Sequence, residues 1–324
     1  MSIEVLSSVR VEQRTHGTGS QLLTKEKLRF GELAAVRKYV TPDGPKVVLV
    51  HGFAQNRYTW HNSSRSYSAW LAGAGFDVYN LELRGHGESR SGSSNESFER
   101  YVDDAVSVAG SLSEPAFWVG HSLGGAVVYG AATRMPVRGV VGIGALFRFA
   151  QANKALNLLC KLSTTLRAQK LLGGVNVRTR LAGQLLGRLY GISDVAGYAF
   201  PISGWAPGSM EPEVLAERLE RGFDWTSVQI WLEMARWGAT GAFAYEAAWS
   251  RTDVPLLVVA GDLDHLMLPE DARVAFDRSG SSDRTLVVLD DYTTGHHWGH
   301  LDLILGRVAP DHSWPLLRDW MRAR

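Results

Sequence analysis

Residues 116–129 read Ala-Phe-Trp-Val-Gly-His-Ser-Leu-Gly-Gly-Ala-Val-Val-Tyr, and this stretch restricts the fold more than any other. An apolar run leads into a tight turn, and a helical run follows. Ser122 lies at the turn between Gly120 and Gly124, which have no Cβ atoms to clash with a strained backbone. The pattern predicts a strand, a sharp turn and a helix, with an exposed hydroxyl at the turn. The alternative is a glycine-rich turn that carries an incidental serine.

Short apolar runs alternate with helical segments along most of the chain. Continuous apolar runs of this length are typical of strands that are buried on both faces. The pattern predicts an α/β fold, with a mostly parallel sheet covered by helices on both sides. Residues 1–45 are expected to add two antiparallel strands, of which Leu28–Val40 is the clearer. The predicted sheet strands are 46–50, 76–81, 117–119, 137–143, 254–260 and 285–289.

The stretch between Ala145 and Val254 lacks strand signals, and its apolar residues recur at helical spacing. We predict a helical cap over residues 147–249, inserted at a loop of a core made of residues 1–146 and 250–324. Each tryptophan of this segment could simply dock the cap on the core. Together they suit the apolar wall of a ligand cleft, and two are predicted to contact substrate. These two are Trp231 and Trp237; the others are Trp205, Trp225 and, at the exit, Trp249.

Composition narrows the class of protein. The formal net charge of +1 gives no reason to expect a nucleic-acid partner. No apolar run approaches the ~20 residues that span a bilayer, and the first ten residues lack the apolar core of a signal peptide. The single cysteine, Cys160, excludes an internal disulfide. A cytoplasmic protein without an integral membrane segment is expected, and its oligomeric state is not predicted.

A serine hydroxyl needs a base and a carboxylate to act as a nucleophile. In an open α/β sheet these groups follow the carboxyl ends of strands. After strand 254–260 the sequence Gly-Asp-Leu-Asp offers Asp264, which has better reach, and Asp262, which more readily caps the local turn. After the last strand come three histidines. We favour His300 as the base and interpret the other two, His296 and His297, as loop or rim residues.

Two backbone N–H groups are predicted to form an oxyanion hole. They belong to Phe53, in the loop after strand 46–50, and to Leu123, which follows the serine. The ring of Phe53 could also line the acyl pocket. His51 is interpreted as a residue that braces its loop. The predicted turn directs the side chain of His121 away from the attacking face, and His121 completes the predicted substrate-binding set with Phe53 and the two cap tryptophans.

A metal site is conceivable at the last loop, since neutral imidazoles and carboxylates bind zinc. The candidate ligands are His296, His297, His300 and Asp302. No second cluster with ligand spacing supports such a site. We therefore predict neither a metal nor another cofactor.

Five segments together resemble the α/β-hydrolase superfamily. They are 51–53, 84–89, 120–124, 261–264 and His300. This resemblance implies an α/β-hydrolase fold and an acid three residues after the strand-ending glycine, which is Asp264. Segments 227–243 and 299–310 are similar to the gastric and lysosomal acid-lipase group, and the second implies that His300 is the base.

These observations predict a cofactor-independent serine hydrolase that cleaves a small hydrophobic carboxylic ester. An acyltransferase, a thioesterase or a carbon–carbon bond hydrolase could use the same three side chains. An epoxide hydrolase or dehalogenase is disfavoured, because those enzymes use a carboxylate nucleophile where this chain has Ser122. A receptor that keeps the fold without catalysis is the alternative from another class.

Overall fold

The computed structural model describes residues 2–89, 96–165, 176–178 and 204–324. Its strands are β1 (Ile3–His16), β2 (Gly19–Phe30), β3 (Leu33–Tyr39), β4 (Lys46–Val50), β5 (Asp77–Leu81), β6 (Phe117–His121), β7 (Gly139–Ile143), β8 (Asn176–Arg178), β9 (Trp225–Ser227), β10 (Leu256–Gly261) and β11 (Arg284–Leu289). Among the described residues, nine strands form one sheet in the order β1-β2-β3-β5-β4-β6-β7-β10-β11. The other two, β8 and β9, form an antiparallel pair.

The predicted sheet is confirmed: all pairings from β5 to β11 across the large sheet are parallel. Its inner strands are apolar on both sides because each side is covered. Val48 and Trp118 pack into the core on one face, and Val47 and Phe117 pack into the core on the other. The carboxyl ends of these strands therefore emerge at one edge, which is where loops can bring distant residues together.

The N-terminal region differs from the prediction of two strands. It forms three antiparallel strands, and the segment expected to be a single strand, Leu28–Val40, is divided between β2 and β3. The chain turns at Gly31, whose φ of 59° is readily adopted by glycine, so that Phe30 pairs with Leu33. An apolar pattern runs through both strands because both are buried there, and it conceals the tight turn between them.

Helices cover both faces of the sheet. The described helices are α1 (Tyr67–Gly73), α2 (Phe98–Ala109), α3 (Leu123–Ala132), α4 (Lys154–Ser163), α5 (Pro212–Arg221), α6 (Val228–Thr240), α7 (Glu246–Trp249), α8 (Pro269–Arg278), α9 (Asp291–Thr294), α10 (Asp302–Leu305) and α11 (Ser313–Arg322). A 3₁₀ turn occupies Arg57–Thr59. Helix α3 is buried along its whole length, which fits its direct continuation from the central strand β6.

The segment between β7 and β10 contains helices α4 to α7, as the helical spacing predicted. It also contains the β8–β9 pair, which the sequence analysis did not predict, because three residues are too few to show an alternating pattern. Residues 166–175 and 179–203 of the predicted cap lie outside the described residues, and the cap boundaries at 147 and 249 remain predictions. Among the helices that the structure describes, none is long and apolar enough to cross a membrane.

Candidate active site

Ser122 occupies a strained turn between β6 and α3. Its φ of 57° and ψ of −123° lie outside the regions that side-chain-bearing residues prefer, which is the kind of strain found at functional sites. A Cβ at Gly120 would overlap the backbone of Gly124, and a Cβ at Gly124 would overlap the carbonyl oxygens of Val50 and His51. Only glycine permits this close approach at both positions. The tight turn predicted from the sequence around Ser122 is therefore present in the structure.

The neighbouring strand ends enclose this turn. The N–H of Ser122 donates to the carbonyl oxygen of Ile143 at the end of β7 (3.1 Å), and the carbonyl oxygen of Ser122 accepts from Leu146 (3.1 Å). Gly144 lies between Ile143 and Leu146, and a Cβ added to it would be 2.9 Å from Asp264 Oδ2 and 3.0 Å from His300 Nδ1. The sheet order thus gathers the three predicted catalytic residues around the end of β7, although they are far apart in sequence.

His300 and Asp264 form a buried pair. The Nδ1 of His300 donates to Asp264 Oδ2 at 2.7 Å, and the two side chains are 1% and 0% exposed. The other carboxylate oxygen, Oδ1, accepts from the N–H groups of Leu266 (3.0 Å) and Met267 (2.8 Å). These contacts fix the carboxylate and, through it, the imidazole ring. In a neutral His300 the unprotonated nitrogen is then Nε2, which has no hydrogen-bond partner in the described chain and can accept a proton.

The alternative acid, Asp262, braces the last loop instead. Its Oδ1 accepts from the N–H of Trp298 (2.8 Å), and its Oδ2 contacts His297 Nδ1. The structure therefore brings Asp264, and not Asp262, to His300. The geometry is consistent with the sequence-based preference, and the catalytic roles themselves are taken up as a proposal below.

The two predicted oxyanion donors belong to backbone segments close to the serine. Leu123 is the first residue of α3, so its N–H has no carbonyl partner within the helix. Phe53 lies in the turn after β4, and a Cβ at the preceding residue, Gly52, would be 2.8 Å from the Cβ of Ser122. Within the described residues, neither the Phe53 N–H nor the Leu123 N–H donates to a backbone carbonyl oxygen. His51 accepts from the N–H of Leu83 through Nε2 (3.0 Å), as expected of a loop-bracing residue.

Three of the predicted substrate-binding residues are aromatic side chains at the edge of the apolar core: Phe53, Trp231 and Trp237. The rings of Phe53 and Trp231 lie 6.3 Å apart, and the Trp231 indole donates to Ser163 Oγ (3.2 Å). Trp237 packs edge-on against Phe98, with ring centroids 4.5 Å apart. Phe53 and the two tryptophans all pack against the apolar core while keeping some exposure. Their contact with substrate remains a prediction.

His121 is fully buried against His300, the predicted base. Its ring centroid lies 4.4 Å from that of His300, and its Nε2 donates to the His300 carbonyl oxygen at 3.1 Å. Burial holds the pKa of His121 well below its ordinary value, so the ring is neutral at neutral pH. This geometry gives His121 a role in holding the His300 loop. The separate prediction that it contacts substrate is not tested by these contacts.

The conceivable zinc site is not assembled as the sequence suggested. Two of its four candidate ligands are used elsewhere, since His300 pairs with Asp264 and Asp302 accepts backbone N–H groups. Within the ranges that the structure describes, one group of side chains has spacing suited to a metal, with ligand atoms within 4.8 Å of one another: Asp262, Asp291 and His297. Asp291 and His297 are exposed and Asp262 is partly buried, and acidic groups at a surface are common without an ion.

Asp302 is a functional candidate that sequence reasoning considered only as a metal ligand. Its Oδ2 accepts from the N–H of Gly299 and from the N–H of Ala206, both at 2.8 Å. The carboxylate therefore connects Gly299, which precedes His300, to Ala206. Asp302 is buried, and burial raises its pKa to about 7. Its position two residues after the histidine was visible in the sequence, but its burial was not.

We expect Asp302→Asn to change how stability depends on pH. The raised pKa means that the folded state holds a proton that the unfolded chain releases above about pH 4, so this contribution to stability is lost as pH rises toward 7. The unfolding free energy of Asp302→Asn relative to wild type should therefore rise by about 2 kcal/mol between pH 5 and pH 7. Urea titrations at both pH values measure this difference. Asp43→Asn, at an exposed turn, is the control and should show no such rise, and an equal pH dependence in both variants would contradict the expectation.

Comparison with known proteins agrees with this architecture. A sequence profile of the alpha/beta hydrolase family matches residues 47–310, and the chain belongs to that family. Two kinds of relative are similar in sequence. Epoxide hydrolase B of Mycobacterium tuberculosis is 38% identical over 109 residues, which cover 32% of this chain and only 30% of that protein. The monoacylglycerol lipase of Mycolicibacterium smegmatis is 27% identical over 262 residues, which cover 76% of this chain and 81% of the lipase.

A solved structure shows the same fold along the whole chain. The monoacylglycerol lipase of Paleococcus ferrophilus superposes with a TM-score of 0.61 at 19% identity, covering 98% of this chain and 99% of the lipase. At this identity the likeness concerns the fold alone. The predicted α/β-hydrolase fold is thereby confirmed, whereas the narrower likeness to acid lipases stays a prediction.

Proposed function

We propose that the chain is a serine hydrolase that cleaves a hydrophobic carboxylic ester without a cofactor. The observation that carries the proposal is the buried His300–Asp264 pair beside the strained turn of Ser122. A structural serine would need neither an oriented imidazole nor a backbone conformation that costs about 1–3 kcal/mol. The sequence similarity to the monoacylglycerol lipase of Mycolicibacterium smegmatis over most of the chain supports an ester as substrate.

In the proposed mechanism Ser122 Oγ attacks the ester carbonyl carbon while His300 Nε2 takes the hydroxyl proton. Asp264 stabilises the imidazolium that forms, because its Oδ2 already accepts the Nδ1 hydrogen. The carbonyl oxygen gains negative charge and is held by the N–H groups of Phe53 and Leu123. Collapse of this intermediate breaks the bond to the alcohol oxygen, which leaves with the proton from His300. Water then attacks the acyl-enzyme by the same steps and releases the acid.

The relatives named as epoxide hydrolases raise a second reaction for comparison. We argue against it on the residue at the turn, since the resemblance to the superfamily implies a carboxylate nucleophile for epoxide hydrolysis and position 122 is a serine in this chain. Aromatic side chains around Phe53 and Trp231 support an apolar acyl or alcohol group in the substrate. The 147–249 segment, as a proposed cap, would supply Trp231, and the core would supply Phe53.

Covalent labelling tests the proposal directly. We expect a fluorophosphonate probe to label the purified protein at one residue, with the modified peptide containing Ser122, because only an activated serine reacts rapidly. Mass spectrometry after proteolysis identifies the site. His300→Ala is the matched comparison and should slow labelling strongly while leaving Ser122 in place. A wild-type protein that stays unlabelled would support the non-catalytic receptor instead.

A further inference from the structure

Arg218 is a fully buried cation on helix α5. Its side chain is 0% exposed, and its three guanidinium nitrogens have no hydrogen-bond partner in the part of the chain that the structure describes. The guanidinium carbon lies 5.1 Å from the centre of the Phe223 ring. Its Nη1 also lies so close to Gly222 that a Cβ there would overlap it. The described residues thus leave space for this guanidinium but provide no hydrogen-bond acceptor for it.

Other arginines that are largely buried show how this chain normally satisfies a guanidinium. Each of four donates to a carboxylate at 3.0 Å or less, which offsets the cost of removing charge from water. They are Arg37 with Asp77, Arg57 with Glu82, Arg65 with Glu211 and Arg84 with Asp104. Arg218 is less exposed than all four and has no such partner among the described residues. A buried charge without a hydrogen-bond partner is strongly unfavourable, so this guanidinium calls for an acceptor beyond the described residues.

Helix α5 is attached to the loop that follows the predicted oxyanion donor. The Asn62 side chain donates to the carbonyl oxygen of Val214 (2.9 Å), and the Asn56 side chain donates to that of Arg221 (2.9 Å). Just after the helix, the N–H of Asp224 donates to the carbonyl oxygen of Ala54 (3.0 Å). The end of α5 that carries Arg218 is therefore fixed against residues 54–56, directly beside Phe53.

The charge of Arg218 also acts on two histidines near the serine turn, His51 and His121. Burial is the main cause that lowers the pKa of both histidines, a neighbouring histidine is the next, and the positive charge of Arg218 is a further one. His51 precedes Gly52, which touches Ser122, and His121 precedes Ser122 itself. Burial lowers the pKa of Arg218 to about 9, so the guanidinium stays protonated at neutral pH. A full positive charge is therefore present close to the candidate active site.

We propose that Arg218 binds an anionic oxygen group, a carboxylate or a phosphate, carried by the ester substrate in addition to its apolar part. This inference rests on the proposed function, and it narrows the substrate class from hydrophobic esters to esters with an anionic end. The planar fork of a guanidinium suits bidentate binding of either group. Because the end of α5 that carries Arg218 is fixed beside the loop of Phe53, we place the anionic end of the substrate on this side of the serine turn.

Binding is tested without turnover, on the full-length Ser122→Ala protein. The probes are mono-p-nitrophenyl adipate, which has a free carboxylate, and p-nitrophenyl hexanoate, which has the same chain length without it. We expect the adipate ester to bind more tightly, and we expect a second change, Arg218→Met, to weaken its binding about 30-fold or more, as the loss of a buried charge partner does. Titration calorimetry gives both dissociation constants. Arg221→Met, on the same helix but exposed, is the control and should leave the preference for adipate in place.

Folding is checked separately. Without ligand, Arg218→Met should unfold at the same temperature as its parent or higher, because it removes an unpaired buried charge. If that variant does not fold, Arg218→Lys keeps the positive charge but removes the planar fork, and it should also weaken adipate binding. Inorganic phosphate is the third probe: protection of the parent but not of Arg218→Met against thermal unfolding would support the anion site.

The outcomes separate the two proposals. Equal binding of the adipate and hexanoate esters, or equal loss of both in Arg218→Met, would overturn the role of Arg218 and leave the esterase proposal intact. Arg218-dependent binding of the adipate ester by a protein that hydrolyses no ester in its wild-type form would contradict the esterase proposal alone. Protection by phosphate with no preference for the adipate ester would overturn the claim that the substrate carries the anion.

Discussion

Replacing Ser122 by alanine is expected to lower kcat/KM for p-nitrophenyl butyrate by about 10⁴- to 10⁶-fold, the range seen when a triad nucleophile is removed. The turn, the oxyanion N–H groups and the His300–Asp264 pair do not depend on the Ser122 hydroxyl, so substrate binding and the fold should be retained. What is lost is the covalent step. Initial rates over a range of substrate concentrations measure the effect.

The control for this experiment is Ser113→Ala, an exposed serine just before strand β6. It should keep wild-type kinetics. Far-ultraviolet circular dichroism and the thermal unfolding temperature verify that both variants are folded. Residual turnover above about one hundredth of the wild-type rate in Ser122→Ala would be incompatible with nucleophilic catalysis by this residue, since other routes over water contribute far less.

Replacing Asp264 by asparagine is expected to lower kcat by about 10⁴-fold, although the two side chains have nearly the same shape. The reason is the tautomer of His300. Asp264 Oδ2 now accepts the Nδ1 hydrogen, whereas an amide nitrogen in that position would donate to Nδ1 and move the ring hydrogen to Nε2. The nitrogen that should take the serine proton would then already carry one.

The sequence itself provides the matched control, because Asp262 lies two residues earlier in the same loop. Asp262 contacts Trp298 and His297 at the rim, and Asp262→Asn should cost less than about tenfold in kcat. Steady-state kinetics of the two variants therefore compare two carboxylates that sequence reasoning could only rank. An effect of Asp262→Asn as large as that of Asp264→Asn would contradict the assignment of the acid.

Local patterns predicted the elements that hold the site. The apolar runs of β4, β6 and β10 and the glycines around Ser122 are signals within a few residues of one another, and the structure contains each of them. The hairpin turn at Gly31 was not predicted, because apolar residues continue on both sides of it. Strand pairs of three residues, such as β8 and β9, leave too little pattern to detect.

Long-range relations were harder to predict than elements. The acid could be ranked because its distance from a strand end is a local property, and the base was ranked through the resemblance of segment 299–310 to the acid-lipase group. Whether a charged residue will be buried, and next to what, depends on the packing of segments that are far apart in sequence. Asp302 and Arg218 illustrate this limit, since nothing in the sequence indicates that either is buried and both are buried in the structure.

The close contact of the Gly124 backbone with the carbonyl groups at the end of β4 has a mechanical consequence. Strand β4 leads to Phe53 and helix α3 begins with Leu123, so the two proposed oxyanion donors belong to elements that touch backbone to backbone. With no side chain between them that could change rotamer, thermal motion should displace the two donors together. The electrostatic environment of the developing oxyanion is then set when the protein folds and needs little further adjustment as the reaction proceeds.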